Sequence, residues 1–164
     1  MANPTKQPRV AIKSYKDLDV WKMSMDLVVA SYKLARRLPK SEQFELASQI
    51  RRASVSVPAN IAEGYGRRHL GDYVRHLYIA NGSLKELETE LILTGRLHYF
   101  TEPVVAPVLR LADTVGRLLA GLTRSLRAVS QDQRPKTSIQ ATTQPSRSLI
   151  MRLPYAALAS EWVT

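Results

Sequence analysis

The sequence predicts an all-α fold, an antiparallel up-and-down four-helix bundle. Four segments carry apolar residues at spacings of three and four, the pattern of an amphipathic helix, and none shows the alternation of a half-buried strand. The connections between these segments are short, which favours antiparallel neighbours. We divide the 164 residues into a flexible arm at 1–13, a bundle domain at 14–129 and a tail at 130–164. The tail is rich in Gln, Ser, Thr and Pro, so we predict disorder, although residues 149–163 regain apolar side chains and could dock as a short helix.

Capping and proline signals predict where the first two helices begin and end. Ser14 and Asp17 have the spacing of a capping box ahead of helix one. That helix is expected to stop at Pro39, because the residue before a proline disfavours the helical conformation. Ser41 is the predicted N-cap of helix two.

The second helix contains both a proline and a glycine signal. Pro58 removes a backbone donor and predicts a bend inside the helix. We expect the helix to end at Gly64, with the segment Gly64-Tyr65-Gly66 forming a C-cap and turn. Tyr65 in this turn is either a packing anchor or an exposed ring that stacks on a base.

The third and fourth helices have the most regular patterns. In helix three, apolar positions alternate at spacings of four and three from Tyr73 to His98, which we expect to be a partly buried cap. Gly82 inside this helix suggests close approach by a neighbouring helix. Helix four is predicted to begin at Thr101-Glu102-Pro103, since proline is favoured in the first turn.

The composition indicates which partners and sites this chain favours. Lys and Arg number 24 against 14 Asp and Glu, giving a net charge of +10, which favours nucleic acid first and an anionic membrane second. The absence of cysteine excludes disulfides, thiolate metal sites and a cysteine nucleophile. The sequence has neither an apolar run of about 18 residues nor an apolar segment at its start. We therefore expect a cytoplasmic protein with no membrane partner.

Several arginines are candidates for binding phosphate groups. Arg67 and Arg68 lie at the start of helix three, where the helix dipole does not favour cations, so nucleic-acid binding is a reasonable explanation. Three arginines on helix four recur once per heptad and form a ridge. A solvated face, with Asp113 paired to Arg110, explains this ridge equally well. The predicted contacts to nucleic acid are Arg51, Arg67, Arg68, Arg75, Arg110, Arg117 and Arg124.

Two further basic groups have structural explanations. Arg36, Arg37 and Lys40 lie near the end of helix one, where the dipole favours cations. Arg51 and Arg52 are adjacent on helix two and point about 100° apart. One of these two is therefore predicted to form a buried pair with a carboxylate.

Polar residues next to the apolar stripes of helices two and three suggest a buried network. Buried polar groups need partners, and a shared network could fix the register of the bundle. The alternative is an active site, but no nucleophile, base and orienting group occur at a recognisable spacing. The predicted structural polar network comprises Gln49, Arg52, Asn60, Glu63, Ser83 and Glu86.

A metal site is a third interpretation. His69, Asp72 and His76 lie on one face of helix three, and such side chains can bind zinc. The histidines are two turns apart, so a closed site would need ligands from elsewhere. We expect no metal, no other cofactor and no catalytic residues.

Several short motifs, in order along the chain, resemble those of one bacterial family. Four-helix-bundle proteins encoded by intervening sequences inside large-subunit (23S) ribosomal RNA genes carry a similar Ala-x-Gly-Ser-x-x-Glu-Leu segment. The resemblance covers roughly residues 14–128. The matching residues are Tyr15, Leu18, Trp21, Leu38-Pro39, Glu42, 49–53, 60–64 and 79–87.

The resemblance implies an assembly and a class of partner. Family members would form a homo-oligomer, a pentameric barrel of bundles with basic surfaces, related to the accessory variability proteins of diversity-generating retroelements. Those relatives bind nucleic acid and a reverse transcriptase. We therefore expect a non-catalytic nucleic-acid-binding protein, with RNA favoured by the family. The alternative is an assembly hub that recruits a protein partner such as a reverse transcriptase.

Overall fold

Residues 12–132, which the computed structural model describes, form four α-helices and contain no strand. Two short 3₁₀ turns, Tyr15–Asp17 and Lys40–Glu42, precede the first two helices. The prediction of an all-helical chain with four helices is confirmed. The helices are α1 (Asp19–Ala35), α2 (Leu46–Tyr65), α3 (Leu70–Arg96) and α4 (Glu102–Asp132).

Each helix packs against two others in a closed cycle. α2 and α3 pack together, α4 packs on α3, and α1 completes the cycle against α2 and α4. An aromatic row joins the start of α1 to the end of α2 and the start of α3, with ring centroids of Tyr15 and Tyr65 6.3 Å apart and of Tyr65 and Tyr73 6.2 Å apart. Sequential neighbours therefore run antiparallel, and Tyr65 is a packing anchor.

The opposite end of the bundle is held by polar contacts. The Tyr99 hydroxyl, in the connection between α3 and α4, donates a 2.7 Å hydrogen bond to Glu42 Oε1. The second oxygen of Glu42 accepts a 3.4 Å bond from the backbone N–H of Leu46, the first residue of α2. Beside it, the Arg37 guanidinium lies 5.3 Å from the ring centroid of Phe100, a cation–π distance. These contacts join the start of α2 to the connection between α3 and α4.

Fully buried aliphatic side chains fill the space between the helices. The regular spacing of α3 places a line of leucines on its inner face, as predicted. Burying each such side chain contributes about 1.5 to 3 kcal/mol before the cost of ordering is counted. The largest of these side chains are Leu27, Ile50, Val57, Ile61, Leu77, Leu84, Leu87, Leu91, Val115 and Leu119.

Three predicted features at the starts and ends of helices differ in the structure. α1 ends at Ala35, before Pro39, because a turn precedes the proline. The predicted N-cap at Ser41 is wrong, since Ser41 lies inside the second 3₁₀ turn and α2 begins five residues later. The Ser14 capping box is present, but it caps the first 3₁₀ turn and not α1 itself.

The end of α2 is also different from the prediction. The helix continues without interruption through Pro58 to Tyr65, and Gly66 is its C-cap, with its N–H bonded to the Ala62 carbonyl. Gly64 is buried inside the helix. The predicted C-cap at Gly64 is wrong because this glycine serves the packing of α2 against α3.

The last two helices show further differences. His98 lies beyond α3 in the left-handed region at φ 58° and is exposed, so the predicted buried cap is wrong. A Cβ at Gly82 would meet no atom of the described chain within 4 Å. α4 extends to Asp132, three residues into the predicted tail. The remaining tail and most of the arm lie outside the described residues.

A membrane-spanning helix needs about 20 consecutive, predominantly apolar residues. None of the helices within residues 12–132 is both long enough and apolar enough to cross a bilayer.

Candidate nucleic-acid interface

Arginines gather at the end of the bundle where α2 turns into α3. Arg67 and Arg68 lie in this turn with exposed side chains. Arg67 pairs with Glu63 one helical turn earlier. Arg68 forms no ion pair with any described residue. Its full charge is therefore available at this end.

The antiparallel arrangement of α3 and α4 adds three more arginines to this region. Arg127 Nη1 lies 3.3 Å from the hydroxyl of Tyr78, which joins the end of α4 to the early part of α3. Arg75 precedes Tyr78 by three residues and Arg124 precedes Arg127 by three, so each shares a helical face with its partner. Arg75, Arg124 and Arg127 are all exposed. We name this surface the basic end; it consists of Arg67, Arg68, Arg75, Arg124 and Arg127.

The heptad ridge of α4 continues away from the basic end. Arg110 and Arg117 are exposed, as a ridge requires. The predicted pairing of Asp113 with Arg110 is wrong, because Asp113 pairs with Arg117, one turn further along the helix. Arg117 also donates a 3.1 Å bond to the Thr114 hydroxyl. Arg110 is thus the less neutralised of the two.

Arg51 lies far from the basic end. Arg67 follows Arg51 by sixteen positions, which correspond to roughly 24 Å along a helix axis. Its Nη2 donates a 2.9 Å hydrogen bond to the Gln43 carbonyl oxygen, and the side chain lies beside Arg36 and Lys40. The predicted arginines therefore do not form a single surface. Arg67, Arg68, Arg75 and Arg124 lie at the basic end and Arg51 lies far from it. Arg110 and Arg117 lie along α4.

Neither Arg51 nor Arg52 forms the buried ion pair with a carboxylate that we predicted for one of them. Arg52 instead contacts an amide. Its side chain is exposed and donates to Gln49 Oε1, and no described carboxylate lies within ion-pairing distance. The buried charge in this region is Glu90 on α3, which is 9% exposed and whose Oε2 atom has no hydrogen-bond partner. Burial, and after it the Glu86 carboxylate, raise the pKa of Glu90 to about 7 against the opposing charge of Arg52.

A second polar group lies nearer the basic end. Asn60 Nδ2 donates to the Ser56 carbonyl oxygen at 2.8 Å, and the Ser56 hydroxyl lies 2.8 Å from that of Ser83 on α3. His76 Nδ1 lies 3.3 Å from Asn60 Oδ1, and its Nε2 lies 3.8 Å from Glu63 Oε1. These contacts link α2 to α3.

The residues proposed for one polar network thus separate into two groups. Asn60, Glu63 and Ser83 belong to the group around His76, whereas Gln49, Arg52 and Glu86 lie around Glu90. Gln49, Arg52, Glu63 and Glu86 are exposed, so the buried part of each group is small.

Sequence reasoning missed three members of these groups: Ser56, Glu90 and His76, which was considered only as a metal ligand. Glu90 follows Leu87 by three residues and precedes Thr94 by four, so helical spacing alone places it on the inner face of α3. The predicted inner face, which runs from Tyr73 to His98, does not include Glu90. Ser56 gave no signal, since its partner is on another helix.

The residues of α3 that were considered as metal ligands, His69, Asp72 and His76, do not point toward a common site. His69 and Asp72 are exposed at the start of α3, while both ring nitrogens of His76 face Asn60 and Glu63. Within residues 12–132 no three His, Cys, Asp or Glu side chains lie close enough to hold a metal ion together.

Comparisons with known proteins agree with this architecture. Residues 16–121, more than half of the chain, match the family described as 23S rRNA-intervening sequence protein. A crystal structure of a protein of unknown function from the S23 ribosomal protein family, from Bacteroides thetaiotaomicron, is 26% identical with a TM-score of 0.60. The alignment covers 63% of this chain and 97% of that one. The search of curated proteins gives no match. On the evidence of the family match, this chain belongs to the 23S rRNA-intervening sequence proteins.

Proposed function

We propose that this protein is a non-catalytic, cytoplasmic RNA-binding protein that works as a homo-oligomer. The observation that carries the proposal is the basic end, where exposed arginines from the α2–α3 turn, α3 and α4 lie at the same end of the bundle. Four of these five arginines form no ion pair with a described residue. Guanidinium groups so exposed are suited to phosphate oxygens. RNA is favoured over DNA by the family alone.

Binding at such a surface is mainly electrostatic. Each phosphate that an arginine neutralises releases counterions, so affinity falls as salt rises. Contacts to phosphates position the RNA without reading its sequence. We expect weak sequence preference, with the net charge of +10 also speeding association.

Neutralising Arg67 and Arg68 together is expected to weaken RNA binding about tenfold at roughly 0.1 M salt. Losing two phosphate contacts to a single strand should also reduce the slope of log affinity against log salt by about 1.4. The measurement is fluorescence anisotropy of the Arg67→Gln/Arg68→Gln variant with a labelled single-stranded RNA over a range of salt concentrations.

The control for this experiment removes the same charge elsewhere. Lys85 and Arg96 are exposed in the middle and at the far end of α3. The Lys85→Gln/Arg96→Gln variant should bind within about twofold of the unmodified protein, because neither residue belongs to the basic end. Equal affinity and slope in both double variants would remove Arg67 and Arg68 from the interface.

The proposed self-association is supported by an apolar stripe on α3. Gly82 lies at its centre, and the exposed apolar residues of this helix lie within about 80° of it around the helix. A glycine with open space above it allows a helix of a second copy to approach closely, in the pentameric barrel that the family implies. The other members of the stripe are Tyr78, Ile79, Ile92 and Leu93, which are 40 to 52% exposed.

Replacing Gly82 by leucine is expected to break the oligomer into smaller particles at micromolar concentration. A Cβ at this position would meet no atom of the described residues within 4 Å, so the variant should fold normally but block the close approach. Native mass spectrometry measures the particle mass. Gly121→Leu on α4, also with open space above it, is the control. An unchanged mass for Gly82→Leu would show that copies do not meet at this stripe.

A second candidate function is that of a hub that recruits a protein. The exposed apolar side chains on α1, Met25 and Val29, favour it because they lie outside the α3 stripe and are available to a partner. A pull-down that returns one stoichiometric protein and no nuclease-sensitive material would support the hub over RNA binding.

A further inference from the structure

Two clefts meet at Arg51, at the end of the bundle opposite the basic end. The first, which we name the basic cleft, has a volume of about 270 Å³ and lies between the end of α1 and the start of α2, with Arg36, Lys40, Gln43, Ala47 and Arg51 among its lining residues. The second, the aromatic cleft, is the more open and has a volume of about 460 Å³ on the face between α1 and α2. It is lined by Tyr32, Ser48, Arg51, Arg52, Val55 and Ser56.

The basic cleft has the chemistry of a phosphate site. Three cationic side chains line it, no carboxylate does, and none of the three forms an ion pair with a described residue. The hydrogen bond from Arg51 Nη2 to the Gln43 carbonyl oxygen fixes the guanidinium at the cleft wall and leaves its other N–H donors for a ligand. The adjacent Glu42 carboxylate accepts hydrogen bonds from Tyr99 and Leu46 and forms no ion pair with these three cations.

The aromatic cleft has a different chemistry, that of a base-binding surface. The half-buried ring of Tyr32 and the side chain of Val55, which is 42% exposed, provide an apolar wall. Ser48 and Arg52 add hydrogen-bonding groups at its edge. Aromatic side chains combined with arginines are the usual means of holding unstacked bases.

Because Arg51 belongs to both clefts, a phosphate in one and a base in the other are neighbours. The phosphate and the base of a single nucleotide are neighbours in the same way. We propose that the two clefts form a nucleotide subsite for single-stranded RNA, with the phosphate among Arg36, Lys40 and Arg51 and the base against Tyr32. The inference rests on the proposed RNA binding but concerns a different surface. A duplex does not fit, because its bases are already paired and stacked.

The test compares probes with and without bases. Anisotropy of the full chain is measured with a labelled single-stranded oligouridylate, and competition is measured with an RNA duplex and with inorganic polyphosphate. The Tyr32→Leu variant should lose about tenfold in affinity for the single strand, the effect of losing one base–aromatic stack, and should bind polyphosphate unchanged. The Arg51→Gln variant should lose affinity for both. Tyr32→Phe, which keeps the ring, should bind normally.

A matched control and an independent readout keep the test decisive. Phe44 is 83% exposed and lines neither cleft, so the Phe44→Leu variant should bind normally. Photo-crosslinking of the unmodified protein with 4-thiouridine RNA should label the peptide that contains Tyr32, whatever the folding of the variants.

Four results would overturn the inference. Single-strand affinity within about twofold for Tyr32→Leu, while the Arg67→Gln/Arg68→Gln variant binds weakly, would refute the subsite and leave the proposed function intact. If the Tyr32→Leu variant loses equal affinity for the RNA duplex and for the single strand, the subsite is not specific for single-stranded RNA. If the Tyr32→Leu or Arg51→Gln variant forms a smaller particle than the unmodified protein but binds RNA with unchanged affinity, the face that carries the two clefts is a contact between copies and not an RNA site. If the unmodified protein binds no RNA, the proposed function fails as well.

Discussion

Replacing Gly64 by alanine is expected to lower the free energy of unfolding by about 1 to 3 kcal/mol, the usual cost of overpacking a core. A Cβ at this position would lie 2.7 Å from Tyr73 Cδ2 and 2.8 Å from His76 Cβ. The second atom is attached directly to the α3 backbone, so rotating a side chain cannot relieve the contact. α2 and α3 would have to move apart, which outweighs the gain of about 1 kcal/mol in helix propensity.

Denaturant unfolding at a fixed protein concentration measures this loss. Gly121→Ala is the control, since this residue also lies inside a helix but a Cβ there would meet nothing within 4 Å. That variant should keep its stability or gain up to about 1 kcal/mol. Equal stability of the two variants would mean that α2 and α3 do not approach closely at Gly64.

Replacing Glu90 by glutamine is expected to stabilise the protein above pH 7 by about 1 to 3 kcal/mol. The carboxyl is buried beside Glu86, and its pKa rises from 4.5 to about 7 in the folded chain. Between these values the unfolded chain has released the proton while the folded chain retains it. The unmodified protein therefore loses stability as pH rises through this window, and the loss is complete above pH 7. The amide does not titrate, so the E90Q variant avoids the loss.

Thermal unfolding of both proteins from pH 4.5 to 8 measures the effect. The stability difference should be smallest near pH 4.5 and should grow until about pH 7. Glu88→Gln is the control on the same helix; it removes the 2.8 Å contact with Lys85 Nζ and should lower stability slightly at pH 8. A difference for E90Q that does not change with pH would contradict a raised pKa at Glu90.

The four helices could be predicted because burial of one face leaves a repeating signal along the chain. Leu77, Leu84, Leu87 and Leu91 show this most clearly, since each lies on the inner face of α3. The 3₁₀ turns were not predicted. Their few residues have no periodicity, and for this reason the N-cap of α2 is predicted at Ser41, four residues before its observed position at Glu45.

The contacts between helices were harder to predict than the helices. The sequence Gly64-Tyr65-Gly66 is equally compatible with a C-cap and with a close crossing of helices, and the deciding atoms belong to Tyr73 and His76. Arg51 illustrates the same limit for the candidate sites. Arg36 and Lys40 come near it only because the turn after α1 brings them beside the start of α2. Charge could be read from the sequence, but its distribution over two ends of the bundle could not.

The central claim, that the protein is an oligomer that carries RNA, is tested most directly by native mass spectrometry. The protein would be purified from its own host at low salt and measured with and without ribonuclease. We expect a particle whose mass is a whole multiple of the chain mass, with additional mass that ribonuclease removes. A particle without ribonuclease-sensitive mass, whether bare or bound to another protein, would contradict RNA binding.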